Sequence, residues 1–510
     1  MSRPPNVLFI MSDQHNARCM SHAGHPDVTT PALDRLARRG IRFTRAFAQN
    51  PICTPSRVSF LSGQYCHNHG YYGLSDPRRP GPAGPRTLPS LFGHAKAAGY
   101  HTGVIGKTHT PRDWIEPHVD TLRDCIGFLA PDAYGEYLDA FGLSSRRDDR
   151  ILPEHFARRG NSDGQGLDAR LSTLPLEHSV EQWCADEAAR FITAAGDQPW
   201  LAWVSFPRPH QVWTPSEPFW SAYSEDTVTL PPNADDPFDG KPPHQRASWR
   251  AKGPDGDWYF EPATYEAGRR RVLRAYFALV SQTDHAIGQL LDLLDQRGIS
   301  QDTIVVYTAD HGDFAGEHGL IEKAPGISYD AITRVPYIWS WPGHLPQGAT
   351  RDDLVESVDL FPTVSALAGL PDLTSWDGHD LGPALRGEGG PERDAVFTEC
   401  PWSKAVRTPD WKLVTYPDGF FPPEDGDVGE LYDLAADPWE LTNLYHSPEH
   451  RDIVERLRRR LLDWLVTTQR IQNTLPAAHG DWQDTRRFDD GLVPPAAIRD
   501  LADKGLRDYL

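Results

Sequence analysis

Short apolar runs that end in polar clusters recur along this chain. Val7 to Met11 is a five-residue apolar strand, followed by a polar loop over Ser12–Thr30. Pro31 then starts a helix with Leu33, Leu36 and Ala37 on one face and Gly40 closing it. Ile41 to Phe47 reads as a second strand, Leu91 to Gly99 as a helix, and His101 to Ile105 as a strand that delivers Gly106-Lys107-Thr108-His109. Trp200 to Phe206 delivers Pro207-Arg208-Pro209-His210. A long helix from about Glu266 to Gly298 carries Tyr276, Leu279, Val280, Ile287, Leu290, Leu291 and Leu294 at helical spacing. After it, Thr303 to Tyr307 delivers Ala309-Asp310-His311-Gly312. Strands alternating with helices predict an α/β fold, a large mostly parallel sheet sandwiched by helices. The polar clusters then lie past the C-terminal strand ends, where open α/β sheets place ligands.

Beyond a helix at Asp359–Gly369 the pattern changes. Asp394–Glu399, Trp411–Tyr416 and Leu431–Leu434 read as strands, and Ile453–Val466 as an amphipathic helix. This predicts a smaller C-terminal α+β subdomain. The expected organisation is a catalytic domain over 1–385, the subdomain over 386–468 and a polar tail over 469–510, a candidate homo-oligomer interface. Stretches near 110–182 and 211–262 read as insertions, rich in Pro, Gly, Asp and Arg, with tryptophans at 114, 213, 220, 249 and 258. Such segments wall a pocket or plug their own loops.

With 51 basic against 71 acidic residues the net charge is −20, which argues against nucleic-acid or anionic-membrane partners. An anionic substrate then needs a local cluster of cations. No apolar run reaches membrane-spanning length, and the apolar start is too short for a signal-peptide core. The six cysteines are scattered without C-x-x-C pairs, so free thiols in the cytoplasm are expected.

The segment Cys53-Thr54-Pro55-Ser56-Arg57 places a thiol at the mouth of a short helix that Gly63 stops. An anion is welcome at such an end, and Arg57 adds a planar cation. Asp13 ends the first strand, and Asp310 and His311 end a late one. Two carboxylates and an imidazole meeting across a sheet edge make a reasonable divalent-metal site, with Gln14 offering an amide oxygen.

The C-x-P-S-R pattern followed by L-x-G resembles the signature of type I sulfatases, and the resemblance extends over nearly the whole chain. Pro5–Asp13 is similar to that family's opening strand and Thr30–Ala37 to its first helix. Gly106-Lys107-Thr108-His109 resembles its G-K-x-H element and Pro209-His210 its P-H element. Asp310-His311-Gly312 with Gly319 and Lys323 resembles its metal strand and lysine, and Leu431–Glu440 with Asn443-Leu444 a hallmark of its C-terminal part. The resemblance implies an alkaline-phosphatase-like fold and conversion of Cys53 to formylglycine by a formylglycine-generating enzyme. It also implies one divalent metal ion on Asp13, Gln14, residue 53, Asp310 and His311, calcium by family default.

Where the best-known branch has a second aspartate and an asparagine, this chain has Gln14 and His311, as choline sulfatases and phosphonate monoester hydrolases do. The imidazole makes manganese or magnesium credible. The resemblance assigns His210, Lys323 or both to protonating the leaving oxygen. His109 removes the proton of the second hydroxyl of the hydrated aldehyde. Lys107, Lys323, Arg57 and the metal offset charge on the equatorial oxygens. His318 is expected behind the site, and His67 and His69 in structural roles. The expected activity is hydrolysis of a small-molecule or saccharide sulfate monoester to an alcohol and sulfate; the alternative is a phosphonate monoester or phosphodiester hydrolase using the same formylglycine. A phosphatase with an unmodified nucleophile, or a binding protein that keeps its thiol, are competing readings.

Overall fold

The computed structural model describes residues 3–74, 88–125, 132–143, 169–245, 252–253, 256–257, 265–324, 326–371, 376–400 and 402–469. Its centre is an eight-stranded sheet. In chain order the strands are β1 (Asn6–Asp13), β2 (Ile41–Phe47), β3 (His101–Gly106), β4 (Thr121–Asp124), β5 (Trp200–Pro209), β8 (Thr303–Ala309), β9 (Arg334–Ser340) and β10 (Ala349–Glu356). A two-residue ladder, β6 (Lys252–Gly253) and β7 (Gly256–Asp257), lies outside it. The spatial order is β10-β2-β9-β8-β1-β5-β3-β4. Strand β9 pairs antiparallel with both neighbours and every other pairing is parallel. The C-terminal ends of β1, β2, β3, β5 and β8 therefore share one edge.

The apolar run of β1 is continuous because both of its faces are covered. Val7, Phe9 and Met11 join one core with Phe60, Trp203, Val306 and Phe361. Leu8 and Ile10 join the other with Ala202, Val204, Ile287, Leu290 and Tyr307. The helices Pro31–Arg38 (α1), Val180–Ala195 and Tyr265–Gln296 supply the second face.

The smaller sheet is antiparallel, with strands β11 (Val396–Glu399), β12 (Lys404–Arg407), β13 (Trp411–Thr415) and β14 (Gly429–Asp433) in sequential order. The helix Arg451–Thr468 packs on it, with Trp464 stacked on Phe397 at 4.2 Å between ring centres. Buried charges join this sheet to the main body: Lys412 Nζ lies 2.5 Å from Asp330 Oδ1 and 2.6 Å from Glu440 Oε1.

The two-sheet α/β architecture agrees with the sequence reading, with additions. The stretch 110–182 is not wholly an insertion, since β4 within it is an edge strand of the main sheet. Strands β9, β10 and β12 lie where no strand was expected. Trp213 is buried, Trp220 lies under the Arg274 guanidinium, and Trp114 donates to the Leu88 carbonyl, so these three hold their own loops down. Trp249, Trp258 and the tail from 470 onward lie outside the described residues. All six cysteines are buried and unpaired. Among the described residues no helix is long and apolar enough to cross a membrane.

Candidate active site

The helix Cys53–Ser62 (α2) begins where the chain leaves β2 at the shared edge. Its entry is set by Asn50 Oδ1, which accepts from Ile52 N at 2.9 Å, and its end by Gly63 at φ +67°. Every residue of α2 is buried, polar ones included. A helix enclosed all round cannot leave Arg57 or Ser56 to water, so both must find partners inside.

Arg57 finds them on the carboxylates. Its Nη2 lies 2.7 Å from Asp13 Oδ2 and its Nε 2.8 Å from Asp310 Oδ2, while Nη1 donates to Lys107 O at 2.6 Å and Ser205 Oγ at 2.9 Å. The guanidinium is fully buried, and all three of its nitrogens are engaged by the two aspartates, the Lys107 carbonyl and Ser205. Ser56 Oγ donates to the Asp310 carbonyl, which ties α2 to the end of β8.

The remaining groups converge on Cys53. Its Sγ lies 3.2 Å from His311 Nε2, 3.8 Å from Asp13 Oδ1 and 3.9 Å from Lys107 Nζ. Burial and the Asp13 charge push this thiol up, but Lys107, Lys323 and His311 outweigh them and hold it well below the usual thiol range. Asp13 likewise resists burial: Lys107, with Arg57 and His311, holds it well below the ordinary carboxylate range. Lys107 Nζ sits 2.7 Å from Asp13 Oδ2. Asp310 moves the other way, raised by burial and by repulsion from Asp13.

Donor atoms of Asp13, Cys53, Asp310 and His311 all lie within 4.8 Å of one another. His311 Nδ1 donates to the Gly312 carbonyl at 2.8 Å, so it is the Nε2 proton, facing the cluster, whose release would bare a lone pair there. Two carboxylates and an imidazole lone pair facing inward fit a divalent cation. Gln14 departs from its expected place as a ligand. Its Oε1 accepts from Lys323 Nζ at 2.6 Å, and its Nε2 donates to Asp313 Oδ2 at 2.6 Å and Gln211 Oε1 at 3.2 Å.

Two glycines of the motifs are required by close approach. A Cβ on Gly106, at φ +96°, would fall on the Ser205 carbonyl oxygen, and one on Gly312 on the Ala331 carbonyl oxygen. Gln14 at φ +69° and His109 at φ +44° adopt the left-handed region without being glycine, and each is pinned. Tyr276 OH donates to the Gln14 carbonyl at 2.8 Å, and Thr54 Oγ1 to the His109 carbonyl at 2.9 Å.

His109 is half-buried and bonded to Cys53, and burial holds its imidazole below the ordinary range. His210 is held further down, by burial and then by the nearby Lys323 and Lys107. Its Nδ1 donates to the Gln211 carbonyl at 2.8 Å, so the neutral ring carries no proton on Nε2. His318 lies away from the cluster, bonded to Asp236 Oδ2 at 2.6 Å and stacked on Tyr329. His67 bridges Glu399 and Thr468, and His69 bonds Ser59 Oγ behind α2. Asp313 and Gln211 had no place in the sequence reading; only their position beside Asp310-His311-Gly312 and His210 marked them.

The sequence model of the sulfatase family matches residues 5–370, and the model described as N-sulphoglucosamine sulphohydrolase, C-terminal, matches residues 316–467. The choline-sulfatase of Rhizobium meliloti (strain 1021) is 29% identical over 458 residues, covering 87% of this chain and 83% of the relative. The arylsulfatase of Clostridium perfringens (strain 13 / Type A) is 28% identical over 472 residues, covering 90% of this chain and 94% of the relative. The phosphonate monoester hydrolase structure of Agrobacterium radiobacter shares the fold with a TM-score of 0.73 at 24% identity, over 91% of this chain and 96% of the other. A family match across this much of the chain, on a fold that gathers Asp13, Cys53, Lys107, Asp310 and His311 at one sheet edge, leads to one identification: the chain belongs to the sulfatase family of sulfuric ester hydrolases.

Proposed function

We propose that this protein hydrolyses a small-molecule or saccharide sulfate monoester to an alcohol and inorganic sulfate, with residue 53 matured from cysteine to formylglycine. The observation that carries the reading is the place of Cys53, at the mouth of a buried helix and against His311, Asp13 and Lys107. Hydrated formylglycine supplies two hydroxyls on one carbon, which a thiol or a serine lacks. A divalent cation, held by Asp13, Asp310 and His311, supplies Lewis acidity; calcium is the default and manganese or magnesium suits the imidazole better.

The chain's own groups divide the remaining work. Arg57 fixes Asp13 and Asp310. Lys107 and Lys323 bring positive charge to the non-bridging oxygens of the sulfuryl group. His109, neutral and bonded to residue 53, takes a proton from it. Lys323 holds the proton for the leaving oxygen, because neutral His210 presents a bare Nε2. Unpaired buried cysteines fit a reducing compartment, the cytoplasm.

A second reading, a phosphonate monoester or phosphodiester hydrolase, rests on Gln14 and His311, which phosphonate monoester hydrolases share with choline sulfatases. Parallel assays of the matured, metal-loaded protein on nitrophenyl sulfate, phenylphosphonate and phosphodiester substrates separate the two. The highest kcat/KM on the sulfate is expected; a higher value on the phosphonate or diester overturns the first reading.

A further inference from the structure

A closed ring of buried hydrogen bonds runs through Asp313, Gln14 and Lys323. Asp313 Oδ1 accepts from Ala315 N at 2.7 Å and Glu322 N at 3.1 Å, which folds the loop so that Lys323 follows its closure. The Phe314 N–H to Glu322 carbonyl bond at 2.8 Å closes the same loop. The other oxygen, Oδ2, accepts from Gln14 Nε2 at 2.6 Å, and Gln14 Oε1 accepts from Lys323 Nζ at 2.6 Å. Gln14, Asp313, Lys323 and Gln211 are all buried.

The two ends of an amide have nearly the same shape, so only its partners decide which way it faces. Asp313 Oδ2, an acceptor fixed by the backbone bonds of Oδ1, demands the NH2 end of Gln14, and Gln211, whose own amide turns either way, accepts from the same end. The carbonyl end is thereby turned to the ammonium of Lys323. Were the amide reversed, two donors would face each other in a water-poor site, and the ammonium would be pushed away.

We propose that Asp313 is a positioning residue that fixes the Gln14 amide and, through it, the place of Lys323 at the reaction centre. The proposal rests on the reading that Lys323 serves the leaving group, but its geometry does not depend on the ester hydrolysed. Asp313 acts at both ends of the ring: one oxygen orders the loop that carries Lys323, and the other selects the acceptor that the lysine meets.

The test exchanges the carboxylate and the amide in the full-length protein. In Asp313→Asn the two backbone N–H groups retain the side-chain oxygen, so its NH2 opposes that of Gln14. In Gln14→Glu two carboxylates oppose each other. In the double variant the new carboxylate at position 14 accepts both from the new amide at position 313 and from Lys323, and Gln211 turns its own amide to suit. The first readout is the rate at which an amine-reactive acylating reagent labels Lys323 in metal-free protein, followed by peptide mass spectrometry. Labelling is expected to rise about tenfold or more in Asp313→Asn and to return towards wild type in the double variant. The second readout is kcat, expected to fall about 10- to 100-fold in Asp313→Asn, more on poor leaving groups than on nitrophenol esters.

Unchanged Lys323 labelling in Asp313→Asn, or no recovery in the double variant, overturns the proposal. Gln211→Met removes the other acceptor while sparing Asp313 and its backbone bonds, and so decides the matter even where Asp313→Asn does not fold. Labelling within about twofold of wild type is expected there; a tenfold rise assigns the amide orientation to Gln211 and overturns the proposal. If wild type turns over none of the esters, the functional reading fails, and the labelling result still judges the ring.

Discussion

The guanidinium of Arg57 meets the carboxylate of Asp13 at 2.7 Å with neither side chain exposed, and the same guanidinium reaches Asp310 at 2.8 Å. One planar cation thus spans two carboxylates that repel each other through two separate nitrogens, while its third holds the Lys107 carbonyl and Ser205 Oγ, a spread of donors that the shorter lysine side chain does not match. Arg57→Lys is expected to keep one of the two bonds and to lose activity at least 100-fold. Breaking a buried pair also costs about 3–5 kcal/mol of stability. Urea denaturation of the metal-free protein gives the stability loss, and elemental analysis gives the metal content, expected to fall with it. An Arg57→Lys variant that retains both full metal content and wild-type stability would show that the span is not needed.

Residue 53 is expected as an aldehyde when the protein is made with the maturing enzyme. Intact-peptide mass spectrometry with hydrazide capture checks this, and fully active protein with an alkylatable Cys53 would contradict it. Cys53→Ser is expected to lose at least 1,000-fold in steady-state turnover, since one hydroxyl attacks once but has no geminal partner to release sulfate. Asp13→Ala and Asp310→Ala are expected to lose metal and activity together.

A buried carboxylate from the helix Tyr265–Gln296 meets the start of helix α1. Asp284 accepts from Ala32 N at 2.9 Å and Leu33 N at 2.8 Å, yet burial raises it to about 7 against those two bonds. A carboxylate raised above its unfolded value binds more protons folded than unfolded, so its contribution to stability is present below about pH 4 and is lost as pH rises through about 7. Asp284→Asn stays neutral throughout and keeps one acceptor oxygen. The stability of wild type relative to this variant is therefore expected to fall from pH 5 to pH 8, by on the order of a few kcal/mol. Parallel denaturation curves at the two pH values would show that Asp284 does not titrate in this window.

Much of this architecture was legible because burial on both faces leaves a plain signature. Val7–Met11 and Ile304–Tyr307 are apolar throughout, and Pro55 and Gly63 bracket α2. Strand β9 escaped notice because Pro336 stands inside it, where a central strand normally has none. The partner strand β2 shifts register between Phe43 and Ala46 opposite that position. The outer half of β10, Ala349–Asp353, is partly exposed at a sheet edge and carries charge, so it shows no apolar pattern. At the site, the motifs marked Arg57 as a cation but not where its donors go. Asp13, Ser205 and Asp310 come to it from distant parts of the chain, and no local spacing records that. Asp313 was hidden for the same reason: its partner Gln14 lies almost 300 residues away.

Lys323 and His210 make different demands as the source of the leaving group's proton. His210 donates Nδ1 to the Gln211 carbonyl, and burial with two neighbouring ammonium groups keeps the ring neutral, so its outer nitrogen accepts and does not donate. The ammonium of Lys323 carries spare protons beyond the one given to Gln14. General acid assistance grows with the pKa of the leaving alcohol, because a nitrophenolate departs with little help and an alkoxide does not. Lys323→Ala is therefore expected to lose about 100-fold more rate on alkyl sulfates than on nitrophenyl sulfate. His210→Ala is expected to lose similar rate on both, since its neutral ring carries no proton for the leaving oxygen. His109→Ala separates from both by releasing one equivalent of alcohol and then stalling, since its proton transfer follows departure of the alcohol. Rapid-quench measurements over a leaving-group series read all three. A steeper leaving-group dependence in His210→Ala than in Lys323→Ala would return the acid role to the histidine and require its ring to be protonated in the substrate complex.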